Sequence, residues 1–265
     1  MKLVSLKLIY GALLVLGLNF ETSAYPSKIN ATYVLVHGAF HGGWCWKEVA
    51  KELRSHADLV YTPTLSGLGE HKNTLDTSIN LNTHINDIVN LILMEDLHDV
   101  ILVGHSYAGA VIAGVADRIP ERLSQLVFLD ALIVANGQSV NDLNPGDVVE
   151  EFKKAAFQND KGLSIPVLKS EFFGVKDPKV SAWANERLTS QPYRSFSQPL
   201  YLKHPFGNHI QTTYICCTGP ELRAIQRSAD IAKNKKDWKF IAIKTGHDAM
   251  LIEPAKLSKI LESLN

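Results

Sequence analysis

The chain has 265 residues, 46% hydrophobic and 20% charged, the balance of a soluble globular protein able to bury a large core in one domain. Lys+Arg and Asp+Glu are equal at 27 each, which leaves no net field to draw the chain to nucleic acid or to an anionic membrane. Three cysteines, Cys45, Cys216 and Cys217, match no zinc or redox spacing and no disulfide scaffold, so they read as buried free thiols.

Lys2 and Lys7 lead into an apolar run from Leu8 to Phe20, followed by Glu21-Thr22-Ser23-Ala24. This pattern predicts a secretory signal peptide over 1–24, cut after Ala24. The apolar run falls short of the roughly 20 residues a bilayer span needs, so an uncleaved anchor is the weaker alternative. The expected product is a secreted or periplasmic domain over 25–265, starting near Tyr25 and without a stable membrane span.

Short β-branched runs then alternate with helical patterns. Strands are predicted at Thr32 to Val36, Leu59 to Tyr61, Val100 to Val103, Leu126 to Leu129, Thr212 to Cys217 and Phe240 to Ile243. Helices are predicted at Trp46 to His56, Leu81 to Met94, Ala108 to Ala116, Glu221 to Ala232 and Pro254 to Leu264. Such alternation implies an α/β fold, a mainly parallel sheet with helices on both faces. Over about 136–210 the alternation lapses into a Pro-rich segment carrying Phe152, Phe157, Phe172, Phe173, Trp183, Tyr193, Phe196 and Tyr201. That aromatic content predicts an inserted cap that packs over the sheet and roofs a pocket.

Chemistry concentrates at Ile101-Leu102-Val103-Gly104-His105-Ser106-Tyr107-Ala108-Gly109, a buried strand running through small residues into a helix. A serine there sits on a sharp strand-to-helix turn, the setting of an exposed nucleophile. Ala108 stands where a glycine is usual, and Gly109 follows it. Upstream, His37-Gly38-Ala39-Phe40-His41-Gly42-Gly43 follows the first strand, and its glycines let backbone N–H groups turn inward. The N–H groups of Ala39 and Tyr107 are the candidate oxyanion donors. His37 and His41 read as loop anchors.

A general base belongs on the loop after the last strand, where Lys244-Thr245-Gly246-His247-Asp248 supplies His247. For the acid there are two candidates. Asp130 closes an apolar strand on the edge where the site assembles and needs a partner such as the His247 ring N–H. Glu221 lies near the more usual place, after the penultimate strand, but also reads as a first-turn helix carboxylate. Asp130 is favoured. Asp248 reads as a support to the base or an exposed side chain.

These residues resemble the α/β-hydrolase superfamily along almost all the chain after residue 24. Within it, VLVHGAFHGGWCW, Gly67 to Glu70, GHSYAG and TGHDAM are similar to the branch of plant methyl esterases and hydroxynitrile lyases with their bacterial esterase relatives. LVFLDA and the stretch from Gln191 to Leu202 point to the bacterial members. The resemblance implies an α/β-hydrolase fold and a Ser-His-Asp mechanism with no metal or organic cofactor. In the lyases a threonine follows the loop histidine and a lysine follows the catalytic histidine; here Gly38 and Asp248 occupy those places. The plant acid after the penultimate strand is replaced by Gly219 and Pro220.

The expectation is therefore a carboxylesterase-type serine hydrolase acting on a small, largely apolar ester, with Ser106, His247 and Asp130 as catalytic set and Ala39 and Tyr107 as oxyanion donors. A hydroxynitrile-lyase-like carbon–carbon lyase and a non-catalytic ligand-binding homologue are the alternatives. Ester against amide preference, the physiological substrate and oligomeric state stay open.

Overall fold

The computed structural model describes residues 30–219 and 222–265. The signal peptide expected over 1–24, and Glu221, lie outside the described residues.

From β1 (Thr32–Val36) the chain enters α1 (Lys47–Ser55), β2 (Leu59–Tyr61), α2 (Leu81–Met94), β3 (Val100–His105), α3 (Ala108–Arg118) and β4 (Leu123–Leu129). Residues 136–210 leave the sheet and contain α4 (Gly146–Asp160), β5 (Ser164–Ile165), α5 (Pro178–Asn185), β6 (Gln191–Pro192) and α6 (Tyr193–Ser197). The chain returns through β7 (Gln211–Cys217), α7 (Arg223–Lys233), β8 (Trp238–Ile243), α8 (Ala249–Ile252) and α9 (Pro254–Glu262).

Six strands form one sheet in the order β2-β1-β3-β4-β7-β8, every pair parallel. Alternate side chains divide between its faces, as the two-residue period of a strand requires. Val34, Leu102, Leu126, Phe128 and Tyr214 join one core with α2, α3 and α7, and Tyr33, Leu35, Val103, Val127 and Ile215 join the other with α1, α8 and α9. Strands buried on both faces read as continuous apolar runs, which is why the short runs stood out in the sequence. Helix α2 begins at a reciprocal Asn80–Thr83 capping box and buries Leu81, Ile85, Ile88 and Ile92 on one stripe. Among the described residues, no helix is long and apolar enough to cross a membrane.

The register positions the site. Val36 pairs with Gly104, His105 with Leu129, Leu129 with Ile215 and Cys217 with Ile243, so five strands end along one edge. The connection from β1 runs to β2 on one side, while β3 lies on the other. The crevice at such a reversal of strand order is where open parallel sheets place their sites.

Strands β3 and β8 are each two residues longer than expected, and two further differences bear on the site. Strand β4 begins three residues before Leu126, because Leu123 and Gln125 are buried while only Ser124 faces solvent. Helix α4 lies in the segment after residue 136, where the alternation lapses and no helix is predicted; its single fully buried residue is Ala156, so its apolar signal is weak. The aromatics there also divide. Phe173 and Phe196 are buried, whereas Phe157, Phe172 and Tyr201 are exposed and roof nothing. Cys45 and Cys217 are buried, but Cys216, on the opposite face of β7, is half-buried, which corrects the reading of three buried thiols.

Candidate active site

Between β3 and α3 the backbone turns through Ser106, which has φ of 55°, a left-handed conformation that is costly for a residue with a Cβ. Three hydrogen bonds hold it there. The Ser106 N–H donates to Leu129 O at 3.2 Å, and its carbonyl accepts from the N–H groups of Gly109 and Leu132, each at 3.0 Å. Helix α3 then starts at Ala108, so the positive end of its dipole lies at the elbow.

The loop after β1 lies directly on this turn. A Cβ on Gly38 would stand 2.8 Å from His105 Nδ1 and 2.9 Å from Ser106 Cβ, so only glycine permits the approach. A threonine, the residue of the lyases, has no room there. Ala39 follows, and among the described residues neither its N–H nor that of Tyr107 is engaged by an acceptor.

Asp130 follows β4 directly with φ of 43° and is buried. Its N–H donates to Ile215 O at 2.7 Å, and its Oδ1 accepts from the Cys217 N–H at 2.9 Å. Its Oδ2 meets His247 Nδ1 at 2.7 Å. Since a carboxylate only accepts, Nδ1 carries the ring proton and Nε2 is left with a lone pair. Among the described residues that buried Nε2 has no hydrogen-bond partner.

His247 comes from the loop after β8, two strands from β4 in the sheet. It is held by its own carbonyl, which accepts from His105 Nε2 at 3.0 Å, and the two rings lie 4.5 Å apart. Burial first, then the neighbouring His247 and His41, pushes the His105 pKa well below the ordinary value. After β7, a Cβ on Gly219 would lie 2.4 Å from Thr245 O, so that position has no room for a side chain.

The two loop histidines take different protonation states. The Leu65 N–H donates to His37 Nε2 at 3.0 Å, which leaves Nδ1–H to donate to Gly38 O at 2.8 Å. That neutral ring is fully occupied, and burial pushes its pKa down to about 3. His41 instead points Nδ1 at Ala39 O, 2.7 Å away, and Nε2 at Asp248 Oδ2, 3.1 Å away. Both partners accept, so both ring nitrogens donate and the ring is a cation. Burial would lower its pKa, but the Asp248 charge and the two hydrogen bonds outweigh burial and raise it. Asp248 is therefore no exposed side chain; it is completely buried and ties the His247 loop to the β1 loop.

His105, His247 and Asp248 place ligand-type atoms within 4.8 Å of one another. Their proximity follows from the His105–His247 hydrogen bond and the His41–Asp248 ion pair already described. Beyond them, His84 Nε2–H donates to Ser66 O at 2.9 Å, which leaves Nδ1 to accept from the Tyr107 hydroxyl at 2.8 Å.

The polar groups lie under rings. Phe173 sits 5.9 Å from the His247 ring and 6.2 Å from Phe40, and Phe196 stacks on Tyr107 at 5.4 Å. Cavities of about 300 Å³, beside Trp44 and Trp183, and about 510 Å³, behind Thr245 and Gly246, flank this region. Neither is lined by Ser106 or His247.

Ser106, Ala39, Tyr107, Asp130 and His247 thus come from four separate loops to one end of the sheet. The reading of the sequence missed the depth of Asp248, the support from His105 and the role of Gln191, taken up below. The adjacency of His105 to Ser106 and of Asp248 to His247 was the only available signal for the first two.

Residues 33–260 match the alpha/beta hydrolase family, and the chain belongs to it. A carbendazim hydrolyzing esterase from Nocardioides sp. (strain SG-4G) is 37% identical over 242 residues, which cover 88% of this chain and 99% of that protein. Methylesterase 10 of Arabidopsis thaliana is 26% identical, with 88% of this chain and 90% of that one covered. Among solved structures, an extracellular alpha/beta-hydrolase from a Paenibacillus species superposes with a TM-score of 0.77 at 25% identity, covering 88% of this chain and 98% of that one. That protein is described as sharing structural and functional homology with tobacco salicylic acid binding protein 2.

Proposed function

We propose that this carboxylic ester hydrolase cleaves a small, largely apolar ester through an acyl-enzyme on Ser106. The observation that carries the reading is the buried 2.7 Å contact of Asp130 with His247 Nδ1, which in the neutral ring turns the lone pair to Nε2 at the edge that also bears the Ser106 elbow.

Ser106 Oγ attacks the carbonyl carbon as His247 Nε2 takes its proton. Asp130 holds the ring tautomer and stabilises the imidazolium. The N–H groups of Ala39 and Tyr107 hold the oxyanion of the tetrahedral intermediate. Collapse breaks the bond to the alcohol oxygen, which takes the proton from His247. Water then attacks the acyl-enzyme, gives its proton to Nε2, and the acid leaves as Ser106 recovers its hydrogen.

Phe173 and Phe196 beside the reacting groups support an apolar substrate. The crowding at Gly38 supports the esterase over the lyase alternative. Carbendazim and methyl esters are the first substrates to try, on the names of the relatives. Export remains part of the proposal on residues 1–24 alone, and a recovered N-terminus at Tyr25 is the expected result.

The test is hydrolysis of a series of p-nitrophenyl esters with covalent labelling by a fluorophosphonate. Wild-type turnover and labelling, both lost in Ser106→Ala, are expected. Turnover that survives in Ser106→Ala overturns the mechanism, and a serine inert to the label favours a ligand-binding protein.

A further inference from the structure

The residue after the Ala39 donor has an unusual backbone. Phe40 has φ of 67°, and the peptide joining it to Ala39 is gripped at both ends. Its carbonyl, that of Ala39, accepts from His41 Nδ1–H at 2.7 Å. Its N–H, that of Phe40, donates to Gln191 Oε1 at 3.0 Å. The next carbonyl, that of Phe40, accepts from the Thr189 N–H at 2.9 Å. Two of these three contacts come from the 136–210 segment, outside the sheet.

Gln191 is completely buried, and both ends of its amide are used. Its Nε2 donates to Ser195 Oγ at 2.7 Å, and that hydroxyl donates to Pro192 O at 2.6 Å. The network determines which way the amide faces. Flipped, it would set an NH₂ against the Phe40 N–H and an oxygen against a hydroxyl whose proton is already committed. A buried amide with one allowed orientation is a rigid acceptor.

A peptide unit is planar, so holding its N–H and C=O sets the rotations on both sides, ψ of Ala39 and φ of Phe40. On the other side, the preceding peptide unit, which carries the Ala39 N–H, is held through its carbonyl, Gly38 O, by His37 Nδ1–H at 2.8 Å, and Gly38 lies so close to the turn that a Cβ there would stand 2.9 Å from Ser106 Cβ. The Ala39 N–H therefore has one direction. Without the acceptor, Phe40 loses the contact that offsets its left-handed strain and is drawn back toward negative φ, turning the loop.

We propose that Gln191 is a positioning residue, which aims the Ala39 N–H at the oxyanion by holding the Ala39–Phe40 peptide from outside the sheet. This rests on the esterase reading above. Gln191 touches no reacting atom. Its effect belongs to the transition state, where oxyanion donors act, rather than to ground-state binding.

The experiment compares full-length wild type, Gln191→Leu, Gln191→Glu and Ser106→Ala with p-nitrophenyl acetate, and measures inhibition by an aryl trifluoromethyl ketone, which forms a tetrahedral oxyanion on a serine. Leucine removes the acceptor; glutamate keeps an oxygen facing the Phe40 N–H, with its second oxygen accepting the Ser195 hydroxyl once that hydroxyl turns from Pro192 O. In Gln191→Leu, kcat is expected to fall about 100-fold with KM within about threefold, and ketone affinity to fall in step with kcat. Gln191→Glu is expected to recover most of that loss. A Gln191→Leu kcat within about threefold of wild type, or equal losses in both variants, overturns the proposal while leaving the esterase reading intact. Wild-type hydrolysis that persists in Ser106→Ala removes that reading and this proposal with it. If Gln191→Leu does not fold, Ser195→Ala, which withdraws only the outer support of the amide, is expected to lower kcat at constant KM; an unchanged kcat overturns the proposal.

Discussion

The sheet edge and the 136–210 segment contribute to the same site by opposite means. Along the edge, β3 is buried at every residue, Asp130 and His105 are held by backbone groups of neighbouring strands and loops, and His247 is held by the Asp130 carboxylate and the His105 ring. In the segment, α4 buries one residue completely and Phe157, Phe172 and Tyr201 face solvent, yet it sends Phe173, Phe196 and Gln191 into contact with the site. Charge and proton transfer need a frame that does not move, because a buried carboxylate without its partners is costly. Apolar cover needs only area, so a thin segment with a few anchored side chains suffices.

That contrast is broken most sharply at Ser106. In Ser106→Ala, kcat on p-nitrophenyl acetate is expected to fall by about 10⁶, measured against the background of the same buffer. Asp130→Asn is expected to lower kcat by about 10⁴, since an amide can present its NH₂ to His247 and reverse the tautomer. A pH–rate profile of that variant checks the cause: activity that rises with hydroxide concentration fits a misoriented base. If Asp130→Asn retains near wild-type kcat, the acid lies elsewhere and Glu221 becomes the residue to change.

On the segment side, Phe173→Ala is expected to destabilise the fold by about 3 kcal/mol through the cavity it leaves and to raise KM more than it lowers kcat. Denaturant unfolding and steady-state kinetics on one preparation separate the two effects. A kcat loss as large as that of Asp130→Asn would erase the contrast between frame and cover.

Acid sharpens it more gently. His37 has its pKa pushed from 6.5 to about 3 by burial, so between those values the unfolded chain is protonated there and the folded one is not. The unfolded state then binds more protons, and stability falls as pH drops below 6.5, by up to about 1.4 kcal/mol per unit from this residue. His84 and His105 shift in the same direction. His41, raised, does the reverse: its contribution is present below the ordinary histidine pKa and fades as pH climbs through the folded value. Urea unfolding from pH 4 to 9 is expected to show the acid loss, and His37→Asn to flatten it. The smallest change is at the exposed Phe157, where Phe157→Ser is expected to stay within about 0.5 kcal/mol in stability and to leave kcat unaltered.

Much of the frame was legible because a fully buried parallel strand leaves an unbroken apolar run. β1 and β2 match the predicted limits, and the turn at Ser106 follows from small residues between such a run and a helix. The pairing of Asp130 with His247 was legible for a similar reason, since a carboxylate closing a buried strand needs a partner. Helix α4 was not, because a surface helix with little apolar stripe resembles a polar loop. For Asp248 the sequence left support and exposure open for want of any local mark of depth: its ion pair is with His41, 207 positions away in the chain.

The sequence by itself determined the α/β alternation, the serine on the β3–α3 turn, the histidine after β8 and the aspartate that closes β4, since each depends on hydrophobic period or on neighbours within a few residues. Only the tertiary structure decided that burial pushes the His37 pKa down while Asp248 raises that of His41, that Gly219 leaves no room for a side chain at its own position, and that Gln191 grips the Ala39–Phe40 peptide. Those outcomes depend on which distant atoms meet a buried donor or acceptor, and only the packed fold brings them together.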